Sequence, residues 1–332
     1  MSDGGVPRRA VVTGGAGFIG STLVDRLLAD GWEVVVLDAF DPYYAREVKL
    51  RNLGSALAHP GCRLVEVDTR DRAALQVAFD EARPQVVFDL AARAGVRPSM
   101  ADPETYVAIN VVGLQNTLST AAKAGARVVF ASSSSVYGAD APPFREDQAL
   151  GQPLSPYGAT KVGAEALCGA HHAAHGLPVG IARLFTVYGP RQRPDLAIHA
   201  FASRMLRGEP VDLYDRGEGV RDYTYVDDAV DALVRLADLP QEMAVVNVGS
   251  DHPIRTAEVV DELERALGTP AVRRLLPPQP GDAPGTHADI SRAAELVGWR
   301  PQTPFREGID RFCRWLRSES GAADTTADVA VS

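Results

Sequence analysis

Tyr157 and Lys161 stand four residues apart in the run Ser155-Pro156-Tyr157-Gly158-Ala159-Thr160-Lys161. On a helix that spacing puts a phenol and an ammonium on one face. A neighbouring cation favours the phenolate and brings a tyrosine down from a pKa of about 10 toward working pH. A phenol so placed can act as a general base on an alcohol. Lysine is scarce in this chain, occurring only as Lys49, Lys123 and Lys161 among basic residues that are otherwise arginine. By itself the pair is equally a surface aromatic followed by a solvated cation, and the segments before it decide between the two.

The pair needs a helix beneath it and a sheet behind it. The first half of the chain alternates short β-branched runs with amphipathic stretches. Strands are predicted from Ala10 to Thr13, Glu33 to Leu37, Arg63 to Val67, Val86 to Leu90, Arg127 to Ala131 and Val179 to Leu184. Helices are predicted from Phe18 to Ala29, Arg72 to Ala82, near Pro103 to Ala124, and Tyr157 to His172. Such alternation implies an α/β fold, a doubly wound parallel sheet covered on both faces, with right-handed crossovers.

After about Phe185 the pattern loosens. Gly189-Pro190 and Arg193-Pro194 break the chain, and Pro277-Pro278-Gln279-Pro280-Gly281 reads as a turn-rich loop. Helices are expected from Leu196 to Leu206, Asp227 to Asp238 and Phe305 to Leu316, with a strand from Val245 to Val248. We expect a sheet domain over residues 1–185 and a smaller mixed α/β lobe over 186–317, with a segment near 222–250 returning to the sheet. The small and polar residues of 318–332 read as a disordered tail.

At 332 residues the chain can bury a large core. A net charge of -9 argues against nucleic acid or an anionic membrane as partner, while local arginines can still bind a small anion. Cys62, Cys168 and Cys313 are odd in number and far apart, with neither a disulfide framework nor metal-ligand spacing, which suits a reducing cytosol. The apolar run after Arg8-Arg9 stops at Thr13-Gly14-Gly15, too short for an export signal. No segment approaches the roughly 20 apolar residues of a membrane span. We expect a cytoplasmic protein.

The first strand runs into Thr13-Gly14-Gly15-Ala16-Gly17-Phe18-Ile19-Gly20. Glycines at 14, 17 and 20 allow a tight turn, close approach to a pyrophosphate, and packing of helix on strand. The helix start then offers free N–H groups and a favourable dipole to the anion. Asp38 ends the next strand 18 residues after Gly20, where a carboxylate accepts hydrogen bonds from an adenosine ribose and repels a 2′-phosphate. That favours NAD over NADP. In Asp68-Thr69-Arg70-Asp71, Asp71 suits the cap of the following helix and Asp68 is assigned to the adenine amino group. Leu90-Ala91-Ala92 offers small residues against a flat cofactor.

These segments resemble the extended short-chain dehydrogenase/reductase superfamily over almost the whole chain, which implies a Rossmann-like NAD-binding domain and a lobe for a nucleotide sugar. In Ala131-Ser132-Ser133-Ser134-Ser135-Val136-Tyr137-Gly138 the resemblance makes Ser133 the catalytic hydroxyl, with Ser134 a near competitor. Four loop segments resemble UDP-glucuronate 4-epimerases more narrowly: Asp41 to Tyr44, Ala94 to Ser99, Phe185 to Asp195 and Gly281 to Asp289. Relatives that dehydrate or decarboxylate nucleotide sugars carry an acid where Ser134 or Ser135 stands here.

The resemblance implies that Arg221 binds the diphosphate and Asp282 the uridine ribose, with Gln279 where related epimerases carry an arginine. Arg193 and Thr186 are candidates for a sugar carboxylate, and Arg97 is an alternative clamp. Asp227 is expected to cap the helix after it rather than to act in catalysis. His171, His172 and His175 include a His-x-x-x-His spacing, but no third ligand is evident and a solvated helix end is expected. The implied reaction is C4 epimerisation of UDP-glucuronate with retained NAD, with Tyr157, Lys161 and Ser133 taking and returning the hydroxyl proton. UDP-glucose 4-epimerase, UDP-glucuronate decarboxylase and a non-catalytic nucleotide-binding protein are the alternatives. The family also commonly dimerises through helices near 103–124 and 157–172.

Overall fold

Strand β1 (Arg9–Thr13) is apolar without alternation, as a strand buried on both faces must be, and it lies near the middle of a seven-stranded parallel sheet. The computed structural model describes residues 7–240, 242–277 and 285–329. The sheet continues with β2 (Glu33–Asp38), β3 (Cys62–Glu66), β4 (Val86–Asp89), β5 (Arg127–Ser133) and β6 (Val179–Leu184). Three short strands, β7 (Thr186–Tyr188), β8 (Val211–Tyr214) and β9 (Val220–Tyr225), precede β10 (Met243–Val248), which returns to the sheet beside β6. The order is β3-β2-β1-β4-β5-β6-β10. Between β1 and β4 the strand order reverses, and ligands of open α/β sheets bind at such a switch point, beyond the carboxyl ends of the strands.

Successive residues of a strand point to opposite faces. Val12 packs on one face with Leu23 and Leu27 of the helix Phe18–Ala29, and Val11 on the other with Phe79 and Leu118. The smaller lobe contains a mixed sheet of β7, β9 and β11 (Pro253–Arg255), and β8 pairs with β12 (Arg273–Leu276).

Several expectations are corrected. The last helix runs Phe305–Val329, beyond the end expected at Leu316. No proline interrupts this stretch, and adding residues to a helix already nucleated costs far less than starting one. Asp227 lies inside the first turn of the helix Val226–Ala237, whose N-cap is Tyr225; its carboxylate approaches Arg311 at 3.6 Å. The helix Thr256–Leu267 was not anticipated, although buried Val259, Val260, Leu263 and Leu267 carry its period. His171 is buried with Nε2 against Gln115, rather than solvated. Among the described residues no helix is long and apolar enough to cross a membrane.

Candidate active site

Thr13, Asp38, Asp89, Ser133 and Leu184 end five adjacent strands at one edge of the sheet, and beyond them opens a cavity of about 570 Å³. One end is built for a dinucleotide. Gly14 has φ +64°, and a Cβ there would stand 2.9 Å from the backbone of Ala91. Only glycine lets the turn nest against the end of β4. Gly17 caps the helix Phe18–Ala29 without a side-chain hydrogen bond, so the N–H groups of its first turn face the cavity unoccupied by a cap. Gly20 packs so closely on the carbonyl of Gly14 that a side chain would overlap it. Phe18, Ile19, Thr69, Ala91 and Ala92 line the same end.

Asp38 is buried at the lip. It accepts from the backbone N–H groups of Ala16 (3.1 Å) and Phe40 (2.8 Å), and from Lys49 Nζ at 3.1 Å. Lys49, missed in the sequence reading, is itself buried, with its ammonium 5.1 Å from the Tyr44 ring centroid. The scarcity of lysine was the one available signal. Asp68 also lines the cavity, and a two-point pair with Arg70 (3.0 and 2.6 Å) holds its carboxyl below the ordinary range. Asp71 caps the next helix through Ala73 and Ala74, as expected. A glycine cradle closed to side chains, a bare helix start and a carboxylate at the second strand end together fit NAD.

The central residues are placed by caps and bridges. Ser155 accepts from Gly158 N–H at 3.1 Å and Pro156 begins the helix Pro156–His175, so Ser-Pro marks the start of the Tyr157 helix. Ser99 accepts from the Tyr157 N–H at 3.1 Å. The long helix near 103–124 widens by a π-type turn over Ala108–Gly113. That turn aims Asn110 at the backbone of Arg93 (2.9 and 3.0 Å) and at Thr160 Oγ1 (3.1 Å), tying the loop after β4 to the Tyr157 helix. Ser133 is buried at the end of β5, accepts from Ser135 N–H at 3.1 Å and donates to the Ser135 hydroxyl at 3.1 Å, and its hydroxyl favours ionisation of the Tyr157 phenol. Ser134 also lines the cavity.

Lys161 lies buried one turn after Tyr157 on the same helix. Its ammonium donates to the Ala131 carbonyl at 2.7 Å, over the Phe130 ring, with Asp89 as its chief anionic neighbour. Burial pushes it down to about 8, against the opposing effect of Asp89. Asp89, also missed, accepts from Thr13 at 2.8 Å, and burial raises its carboxyl. Burial raises the Tyr157 phenol rather than lowering it; the opposing influences are the Ser133 hydrogen bond and the cation of Arg193. Sharing a helix face does not decide which partner an ammonium takes, because the end of β5 offers a carbonyl closer in direction. One turn on, Glu165 forms a buried pair with Arg183 at 2.7 Å and accepts from Ser132 at 2.5 Å, bracing the end of β5 from behind.

The remaining lining residues lie at the substrate end. Arg97 reaches over the Tyr214 ring, 5.3 Å from its centroid, and Thr186 begins β7. The Arg193 side chain is 16% exposed and forks onto Asp195 through Nε (2.9 Å) and Nη2 (2.8 Å). Tyr43 and Asp195, neither anticipated as site residues, border it. Arg221 is not among the cavity-lining residues. It donates to the Val220 carbonyl at 2.8 Å, and it does not pair with Asp222, which is buried and accepts from Ser250, Asp251 and Ala288. Asp282 and Gln279 lie outside the described residues.

A glycine-cradled dinucleotide end joined to a buried Ser–Tyr pair and a neighbouring lysine defines a dinucleotide-dependent enzyme acting on a hydroxyl-bearing substrate. The model of the NAD dependent epimerase/dehydratase family matches residues 10–249, and the chain belongs to that family, part of the extended short-chain dehydrogenases/reductases. It is an NAD-dependent nucleotide-sugar 4-epimerase. It is 37% identical over 339 residues to a probable UDP-glucuronate 4-epimerase of Rhizobium meliloti, covering 96% of this chain and 99% of that one. The Bacillus cereus UDP-glucuronic acid 4-epimerase, solved with UDP-glucuronic acid and NAD, matches with a TM-score of 0.88 at 32% identity over 93% of this chain and 99% of that one. The Thermotoga maritima UDP-glucose 4-epimerase, solved with UDP-glucose, gives 0.86 at 31% over 93% and 99%.

Proposed function

We propose that the chain inverts C4 of UDP-glucuronate to give UDP-galacturonate. The observation carrying this reading is Arg193, a largely buried guanidinium lining the same cavity as Tyr157, whose charge a neutral hexose would leave unused. Its planar fork suits a carboxylate. The names of the Rhizobium meliloti and Bacillus cereus relatives support the same substrate.

Bound NAD supplies a reversible hydride acceptor. Tyr157 takes the C4 hydroxyl proton, Ser133 holds the phenol and hydroxyl in line, and Lys161 keeps a positive charge beneath them. The 4-keto sugar turns in the cavity, and Tyr157 returns the proton to the inverted centre. Arg221 and Asp282 are assigned to the nucleotide, Thr186, Ser134 and Arg193 to the sugar, with Arg97 an alternative clamp on its carboxylate. A glucuronate oxidised at C4 is a β-keto acid, and it loses CO₂ when its C5–C6 bond aligns with the carbonyl π system. Arg193 opposes that alignment by fixing the carboxylate. Ser134 and Ser135 present hydroxyls, so the wall beside the base carries no acid at the positions where related dehydratases and decarboxylases carry one.

Product analysis tests the reading. UDP-galacturonate should form from UDP-glucuronate without bulk NAD consumption. Dominant pentose and CO₂ would make it a decarboxylase, and preference for UDP-glucose would make it a neutral-hexose epimerase. We further read the helices around Val107 and Val112, both exposed, as a homodimer face, and the cytosol as the compartment, supported by three free cysteines. Light scattering giving a monomer would remove the dimer.

A further inference from the structure

Arg193 is held on two sides by residues that serve no other evident purpose. Asp195 takes its Nε and Nη2 hydrogens in a two-point fork at 2.9 and 2.8 Å. The Tyr43 ring lies against the guanidinium, 5.2 Å from its centroid, and the Tyr43 hydroxyl reaches Asp195 at 3.4 Å. Tyr43 is fixed in turn by Asp41, which accepts its N–H at 3.0 Å and pairs with Arg93 at 3.2 Å. The fork leaves Nη1, which has no hydrogen-bond partner among the described residues, together with the outer hydrogen of Nη2. Arg193 and Tyr157 line the same cavity. An arginine has two such carboxylate-binding edges, and a fork on one locks the orientation of the other.

We propose that Asp195 is a positioning residue: it anchors one edge of Arg193 so that the other, steadied by Tyr43, binds the sugar carboxylate and stops it rotating. This rests on the uronate reading above. The Asp195 side chain is 43% exposed, so solvent screens the second negative charge that a bound sugar carboxylate adds beside the single cation. Two consequences follow. Uronate binding depends on Asp195 and neutral-sugar binding does not. Loosening Arg193 also frees the carboxylate of the 4-keto sugar: the C5–C6 bond breaks, its electron pair enters a C4–C5 enolate, CO₂ leaves, and C5 takes a proton from water.

The test compares wild type, Asp195→Asn, Asp195→Glu and Tyr43→Leu on UDP-glucuronate and UDP-glucose, measuring KM, kcat and CO₂ released per epimerisation. Asp195→Asn should raise the UDP-glucuronate KM about 10- to 100-fold, the loss seen when a partner that orients a metal ligand is removed. It should leave the UDP-glucose KM within twofold and raise the CO₂ fraction severalfold. Asp195→Glu should recover part of both effects, and Tyr43→Leu should move them in the same direction by less. A tighter or unchanged UDP-glucuronate KM with no added CO₂ in Asp195→Asn overturns the inference alone. A wild type that turns over only UDP-glucose overturns the uronate reading and this inference with it.

Discussion

Arg193 and Tyr157 influence each other across the cavity. The guanidinium holds down a phenol that burial raises, and the phenol strengthens the guanidinium's hold on its charge. The cation acting on the base thus comes from the loop after β7, while Lys161, one turn along the base's own helix, is turned to Ala131.

Removing that cation should make Tyr157 harder to ionise. In Arg193→Ala the acidic limb of the kcat/KM profile, measured with UDP-glucose to set carboxylate binding aside, moves to higher pH. Arg193→Lys keeps the charge and should keep most of the limb. Coincident profiles for wild type and the alanine variant would exclude any electrostatic role.

Lys161 governs the other limb. Its ammonium is present below about 8 and is lost as pH rises through that value, well short of an ordinary lysine's 10.5. Turnover should therefore decline on the alkaline side near 8. Asp89→Asn removes the carboxylate that opposes the shift and should move the decline to lower pH; a decline that stays put would dissociate Asp89 from the site.

Tyr157→Phe should cost about 10²- to 10⁴-fold in kcat, the usual worth of a positioned acid–base group. Its unfolding midpoint and its content of co-purified NAD should match wild type. Undiminished turnover would move the proton transfer elsewhere.

Lys49→Met strips a buried carboxylate of its cation, a change that typically costs about 3–5 kcal/mol. Thermal unfolding should report a large loss, with weaker NAD retention because Asp38 lines the cofactor end. Adding Asp38→Asn should recover much of the stability and none of the retention. Equal stability of Lys49→Met and wild type would contradict the pair seen at 3.1 Å.

The sheet was legible because β1, β2 and β4 to β6 are short, mainly apolar runs between amphipathic stretches, as burial on both faces requires. Gly14 was legible because its φ of +64° and the approach of Ala91 leave no choice of residue. The strands β7 to β9, β11 and β12 were not, since runs of three to six residues carry too little periodicity. Asp195 and Tyr43 lie in two of the loop segments that carried the resemblance, but their pairing was invisible for another reason: 152 positions separate them.

Sequence alone therefore settled residue types and local geometry: a glycine turn, an aspartate 18 positions on, a capped helix bearing a tyrosine and a lysine. Those follow from backbone sterics and helical period, which act over a few neighbours. Only the tertiary structure decided partners. Which group an ammonium or a guanidinium faces depends on elements brought together from distant parts of the chain, and on a burial that raised Tyr157 where spacing suggested it would fall.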